Sequence, residues 1–132
     1  TKLSEWAEAL EYPSDQTTFF NILDTHDGVG LMGVKGILSS DEINVIVEKA
    51  RLNGAYISYR TVGNGDQEPY EINTTWFGAL NPENAGEDTE LQARRFVASR
   101  SISLALRGVP GIYFHGLIGT GNDPKIVEKS GN

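Results

Sequence analysis

Apolar positions along the chain follow two periods, and their order predicts the elements. Leu3, Trp6, Ala7 and Leu10 recur at i, i+3, i+4 and i+7, the stripe of a helix that Ser4 caps and Pro13 follows. Thr17-Thr18-Phe19-Phe20-Asn21-Ile22-Leu23 is short, β-branched and aromatic, and largely apolar without clean alternation. That pattern predicts a strand buried on both faces, as in parallel sheets. Asp24-Thr25-His26-Asp27-Gly28-Val29-Gly30 follows as a polar loop at the C-terminal end of this strand. A second helix is expected from Ser39 or Ser40, because Ser39 and Glu42 have capping-box spacing. Ile43, Ile46, Val47 and Ala50 form its stripe, and Gly54 marks its end.

Ala55 to Val62 predicts a strand, and Gly63-Asn64-Gly65-Asp66 a turn. Tyr70-Glu71-Ile72 returns as a short strand, Asn73 caps a brief helix carrying Trp76, Phe77 and Leu80, and Asn81 to Glu87 is loop. A third long helix is expected from Asp88 to Arg107, with Leu91, Phe96, Ile102, Leu106 and the intervening alanines as its buried side. Gly108 and Pro110 stop it. Gly111-Ile112-Tyr113-Phe114-His115 predicts a second apolar strand, and Thr120 to Asn132 is polar with no clear end. The outer frame is α–β–insertion–α–β, an α/β class. Parallel strands joined through a helix form a right-handed crossover, and chemistry in such sheets sits on loops after the strand C-termini. The loop beginning at Asp24 is in that position.

Composition narrows the function classes. The 132 residues fit one domain and are too few for a complete eight-fold barrel of about 250 residues. Eighteen acidic against eleven basic residues leave a net charge of −7, which argues against nucleic-acid and anionic membrane partners. With no cysteine there is no disulfide frame, no thiol nucleophile and no Cys-ligated metal. No apolar run reaches the length of a membrane span, and no signal peptide is visible, so a cytoplasmic location is expected.

Several segments carry candidate chemistry. Gly28-Val29-Gly30-Leu31-Met32-Gly33 spells G-x-G-x-x-G after a strand. A dinucleotide site needs the third glycine at a helix start, whereas the helix signal here waits until Ser39, so the match reads as coincidence in a glycine-rich loop. Asp24, His26 and Asp27 could form a metal cluster, but the twelfth position from Asp24 is Lys35 where an EF-hand needs Glu, and no H-E-x-x-H exists. No metal or cofactor is expected. His26-Asp27 at a strand end is either catalytic or a loop in which Asp caps local N–H groups. Tyr113, Phe114 and His115 read as packing with one polar tip, and no G-x-S-x-G elbow offers a serine nucleophile.

The run Thr17 to Gly30, with Leu23-Asp24-Thr25-His26-Asp27-Gly28-Val29-Gly30 at its end, resembles the seventh barrel strand of the α-amylase superfamily (glycoside hydrolase family 13), and within it the sucrose phosphorylase group. Pro69-Tyr70-Glu71-Ile72-Asn73 resembles that group's acceptor-side loop. Gln92 to Arg100 resembles its following helix, and Gly108 to His115 with Gly121-Asn122-Asp123 its eighth strand and trailing loop. These segments occur in the group's order over nearly the whole chain. The resemblance implies a partial (β/α)8 (TIM) barrel: residues 1–27 as barrel helix and strand seven, 28–87 as a small α+β insertion, and 88–132 as barrel helix and strand eight with its trailing loop. The carboxylate nucleophile and the acid/base Glu of the superfamily lie on earlier strands, so the chain resembles part of an enzyme and by itself is expected to be inactive.

What the resemblance implies chemically is glucosyl transfer to phosphate with retention, giving α-glucose 1-phosphate. Asp27 matches the third catalytic carboxylate, a transition-state stabiliser. His26 matches a sugar-hydroxyl ligand, and Tyr70 and Glu71 match a mobile loop that contacts acceptor or phosphate. Sucrose-specific members usually carry Gln where Glu71 stands and Leu where Pro69 stands. Sucrose, glucosylglycerate and glucosylglycerol are therefore all open as substrates. The expected partners are an α-glucoside, inorganic phosphate and the rest of the barrel, with homo-oligomers expected through exposed strand edges. Two other readings stand beside this one: an α-glucosidase or transglucosidase of the same superfamily, and a non-catalytic carbohydrate-binding or interaction module.

Overall fold

The computed structural model describes residues 2–82 and 86–130. In chain order its elements are α1 (Lys2–Glu8), β1 (Phe20–Ile22), β2 (Val29–Gly30), α2 (Ser40–Leu52), β3 (Tyr56–Thr61), β4 (Gln67–Asn73), α3 (Trp76–Leu80), α4 (Thr89–Ala105), β5 (Val109–Gly111), α5 (Phe114–Ile118) and α6 (Pro124–Ser130). The result is a small α/β unit.

The outer frame is built on β1 and β5, which pair in parallel with Phe20 opposite Val109 and Ile22 opposite Gly111. The α4 helix connects back to this pair and packs on β1. Asn21 supplies the join: its Nδ2 donates to the carbonyls of Leu106 (3.4 Å) and Arg107 (3.2 Å), which lie beyond the helix end. Gly108 follows with φ +132°, and a Cβ there would lie 2.7 Å from the Phe19 carbonyl oxygen, so the chain turns into β5 only with glycine at this point.

The middle of the chain folds on local signals. Ser39 caps α2 with both halves of a capping box: Ser39 Oγ accepts from the Glu42 N–H, and Glu42 Oε2 accepts from the Ser39 N–H at 2.8 Å. Asn53 and Gly54 close the helix, Gly54 at φ +86°. β3 and β4 form an antiparallel hairpin, and β2 adds to the far side of β4, giving the order β2–β4–β3. The register shifts within this hairpin: Ser58 faces Glu71 and Tyr59 faces Pro69, leaving Tyr70 unopposed as a β-bulge. Leu31, Val47, Ala50 and Ile72 form the core between sheet and α2, with Val29, Ile43, Ala55 and Ile57 packed on it.

A buried ion pair crosses the outer frame. Arg100 Nη2 on α4 lies 2.7 Å from Asp24 Oδ1 just after β1, with side chains 8% and 1% exposed. A Cβ on Gly116 of α5 would fall 1.8 Å from the same Nη2, so the absence of a side chain there makes room for the guanidinium. The Phe96 ring covers it from α4 at 5.4 Å.

Several expectations change. α1 begins at Lys2, so Ser4 lies inside the helix rather than capping it. The first strand is shorter than Thr17–Leu23 and is not buried on both faces, since Phe20 is 66% exposed. The second strand arrives two residues early, and Phe114 and His115 sit on α5 rather than on a strand. Thr75, not Asn73, caps α3, its Oγ1 accepting from the Gly78 N–H. The buried positions of α4 are Phe96, Arg100 and Ser103, while Leu91 and Ile102 are exposed. For the exposed apolar positions the reason is coverage. A two-stranded sheet presents open edges and faces, and large apolar side chains of α1, β1, α4, β5 and α5 remain exposed. The polar stretch from Thr120 contains α6, and residues 83–85 of the expected 81–87 loop lie outside the described residues.

Two stability outcomes follow. Arg100→Met leaves Asp24 as an uncompensated buried charge and is expected to cost about 3–5 kcal/mol; adding Asp24→Asn should recover part of this, read from urea unfolding midpoints. Three carboxyls are held below the ordinary value of 4.5: Glu42 by the Ser39 N–H and hydroxyl, Glu68 by Lys35 and then Arg60, and Glu87 by Arg95. The folded chain therefore binds fewer protons than the unfolded chain near those values. This stabilisation is complete above pH 4.5 and is lost as pH falls through the lowered folded-state values. Thermal melts should show the unfolding temperature dropping in that acidic window, with a shallower drop for Glu42→Gln.

Candidate functional site

The site grows from the turn that leaves β1. Asp24 points inward to Arg100 and anchors the start of this turn. Thr25 and Gly28 then bond to each other in both directions, Thr25 N–H to Gly28 C=O at 3.0 Å and Gly28 N–H to Thr25 C=O at 3.2 Å. Four residues are thereby closed into a tight turn with His26 and Asp27 at its tip. Thr25 Oγ1 accepts from the Asp27 N–H at 3.3 Å. Gly28 sits at φ +111°, and a Cβ there would lie 2.2 Å from the Ile72 carbonyl oxygen, so the turn rests directly on the β4 backbone. His26 Nε2 lies 3.2 Å from Asp27 Oδ1, with side chains 78% and 57% exposed.

This turn borders an open cleft of about 880 Å³. Thr25, His26 and Asp27 line it together with Asn73 at the end of β4, Thr74 and Thr75 after it, Tyr113 and His115 after β5, and Thr120 to Pro124 ahead of and entering α6. Asn122 ties two of these segments together. Its Oδ1 accepts from the Thr75 N–H at 2.9 Å, and its Nδ2 donates to Thr74 Oγ1 at 3.0 Å. A Cβ on Gly78 would lie 2.7 Å from Asn122 Nδ2, so this glycine admits the amide. His115 Nδ1 lies 3.1 Å from Thr120 Oγ1, and its ring packs 5.4 Å from that of Tyr113. An exposed carboxylate with two acceptor oxygens, neutral donors and two imidazoles on one cleft suits the binding of a polyhydroxylated molecule.

The structure brings His26 and Asp27 together on the cleft. Tyr70 and Glu71 are not among the residues lining it, and the segment 69–73, expected both as a return strand and as an acceptor-side loop, is strand β4. Glu71 is nevertheless connected to the turn: Asn73 Nδ2 donates to Glu71 Oε2 and to the Asp27 carbonyl, each at 3.0 Å. Asp24 takes no part with Asp27 and His26, because its carboxylate faces the interior. Among the described residues no group of three or more His, Asp or Glu side chains is arranged to hold a metal ion. Gly30 lies in β2 and Gly33 in a 3₁₀ turn, six residues ahead of Ser39, so the G-x-G-x-x-G run meets no helix N-terminus. No described helix is long and apolar enough to cross a membrane.

Sequence reasoning missed Asn73, Asn122 and the cleft position of His115. His115 had a signal, being one of two histidines and following an apolar run. The two asparagines had none beyond their place in the resembling segments.

The chain is similar along nearly its whole length to known phosphorylases. It is 40% identical over 131 residues to a glucosylglycerate phosphorylase of Allomeiothermus silvanus, covering 99% of this chain and 23% of that protein. It is 31% identical over 113 residues to a sucrose phosphorylase of Streptococcus mutans, covering 84% of this chain and 22% of that protein. The fold matches part of the crystal structure of sucrose 6F-phosphate phosphorylase from Thermoanaerobacter thermosaccharolyticum with a TM-score of 0.74 and 22% identity, over 98% of this chain and 25% of that one. No family model matches. The chain thus spans about a quarter of the length of these relatives, and the resemblance read from its residues is borne out: it corresponds to a segment of the glucoside phosphorylases.

Gly28→Ala should destabilise the chain by more than about 1 kcal/mol, because it combines a positive φ with a clash against the Ile72 carbonyl. Hydrogen exchange should show the loss of protection concentrated at Thr25, Gly28 and β2, the segments that the turn joins to β4.

Proposed function

We propose that this chain is the C-terminal part of the catalytic barrel of a retaining glucoside phosphorylase. In this reading β1 and β5 are barrel strands seven and eight, residues 28–87 are an insertion after strand seven, and residues 88–132 carry the following helix, strand eight and its trailing loop. The complete protein transfers a glucosyl unit from an α-glucoside to inorganic phosphate and releases α-glucose 1-phosphate. The observation that carries the reading is the similarity over 99% of the chain combined with the Asp27 carboxylate standing exposed on the cleft at the end of the parallel pair. The exposed apolar residues of α1, β1, α4 and β5 are then surfaces that the remaining barrel covers.

Retention proceeds through a covalent glucosyl–carboxylate intermediate whose nucleophile and acid/base group stand on other parts of the protein. Asp27 does not attack. Its two oxygens accept hydrogen bonds from vicinal hydroxyls of the glucosyl ring, and these bonds strengthen as the ring gains oxocarbenium character. His26, beside it, donates to or accepts from a neighbouring hydroxyl. Tyr70 and Glu71 serve the acceptor side, Glu71 through its link to the Asp27 turn. The favoured substrate is glucosylglycerate, since the relative named for it is 40% identical to this chain and the sucrose phosphorylase 31%. Glu71 can accept hydrogen bonds from acceptor hydroxyls but repels the glycerate carboxylate, so the choice rests on the similarity alone.

In the complete protein, phosphate-dependent release of glucose 1-phosphate is expected from glucosylglycerate; release of free glucose alone would favour the hydrolase reading. Asp27→Asn should lower kcat by at least about a hundredfold with a small change in KM, as loss of a contact that tightens in the transition state requires. Glu71→Gln should shift the ratio of acceptors used while sparing formation of the glucosyl enzyme, measured by competition between glycerate and fructose. The 132-residue chain alone should show no turnover.

A further inference from the structure

Asn73 holds three polar groups that belong to different parts of the site. Its Nδ2 carries two hydrogens, one donated to the Asp27 carbonyl at 3.0 Å and one to Glu71 Oε2 at 3.0 Å. Its Oδ1 accepts from Ser58 Oγ at 2.6 Å. Both hydrogens and the oxygen are therefore occupied, and the two acceptor oxygens, the Asp27 carbonyl and the Glu71 carboxylate, fix which end of the amide faces the turn. Asn73 also lines the cleft between Asp27 and the Thr74–Thr75 segment. It was expected to cap α3, yet Thr75 does that work and leaves the Asn73 side chain free to bridge.

We infer that Asn73 is a positioning residue that couples acceptor choice to transition-state stabilisation: its amide sets the backbone of Asp27 and the carboxylate of Glu71 in one register. This inference rests on the glucoside-phosphorylase reading above. The geometry makes the coupling physical. Gly28 is pressed on the Ile72 carbonyl, so the turn bearing Asp27 has one steric rest on β4, and the Asn73 bond supplies the directional one. Only a neutral amide can serve here. It must donate twice to two oxygens and accept once from a hydroxyl. An aspartate at this position has no hydrogen to donate and would place a carboxylate against that of Glu71.

The test uses the complete protein with glucosylglycerate and phosphate. Asn73→Ala should lower kcat about tenfold or more with KM within about twofold, because misplacing a catalytic group by a fraction of an ångström acts on the transition state. It should also change the glycerate-to-fructose acceptor ratio, which a residue that merely supports the fold would leave alone. Asn73→Asp keeps the size and the bond from Ser58, so it remains informative if the alanine variant folds poorly; it should lose at least as much kcat. In a double-mutant cycle, the acceptor-ratio effects of Asn73→Ala and Glu71→Gln should fail to add. Folded Asn73→Ala or Asn73→Asp protein with kcat and acceptor ratio within twofold of the parent would overturn the inference, and so would additive effects in the cycle. Asp27→Asn, measured alongside, separates the two levels: if it leaves kcat unchanged the parent reading fails, and if it abolishes turnover while Asn73 variants remain normal only the inference fails.

Discussion

The contact between Asp24 and Arg100 is the constraint on which the site depends. It joins the end of β1 to the middle of α4, and the space left by Gly116 brings α5 against the same guanidinium. Two charges so far from water persist only if they face each other, and their geometry is strict for that reason. An apolar contact at this point could slide; a 2.7 Å ion pair cannot. The next residues in the chain form the Thr25–Gly28 turn, so the position of Asp27 is inherited from a pair whose carboxylate lies three residues upstream and is itself hidden from the cleft.

A second set of constraints joins the middle of the chain to the outer frame, and it is made mostly of amides and one guanidinium. Asn73 reaches the Asp27 carbonyl, and Asn122 reaches Thr74 and Thr75. Arg95 spans the Leu80 carbonyl, Asn81 and Glu87, and its guanidinium is held above its ordinary value by the Glu87 carboxylate. The hydrophobic core of Leu31, Val47, Ala50 and Ile72 lies within the middle part and says nothing about its placement on the frame. Hydrophobic burial is non-directional, whereas an amide with both donors and its acceptor engaged admits one orientation. The shape of the cleft is thus set by the more directional of the two interactions.

What the chain could disclose by itself was local. Ser39 with Glu42 announces α2, because a cap depends on neighbours three residues apart. The Gly63–Asp66 turn and the hairpin around it follow from residues that tolerate the turn, and the His26–Asp27 pair after an apolar run marks the rim of the cleft through its position and its family likeness. The parallel pairing of β1 with β5 was also foreseeable from the α–β–α–β order.

Tertiary structure decided the rest. Phe96 is buried on α4 as its sequence implies, but it shares that face with Arg100 and Ser103 rather than with Leu91 and Ile102, because burial depends on what lies opposite and not on hydropathy within the helix alone. Asp24 and Asp27 are three positions apart in one loop, yet one is sealed against a guanidinium seventy-six residues away and the other stands open on the cleft. Asn73 became a bridge rather than a cap because Thr75 was better placed to take the Gly78 N–H. Residue type and spacing determined which segments become helices and strands and where a polar loop must lie. The partner of each charge and amide was set by chain crossings, since a long-range polar contact leaves no periodic trace in the sequence.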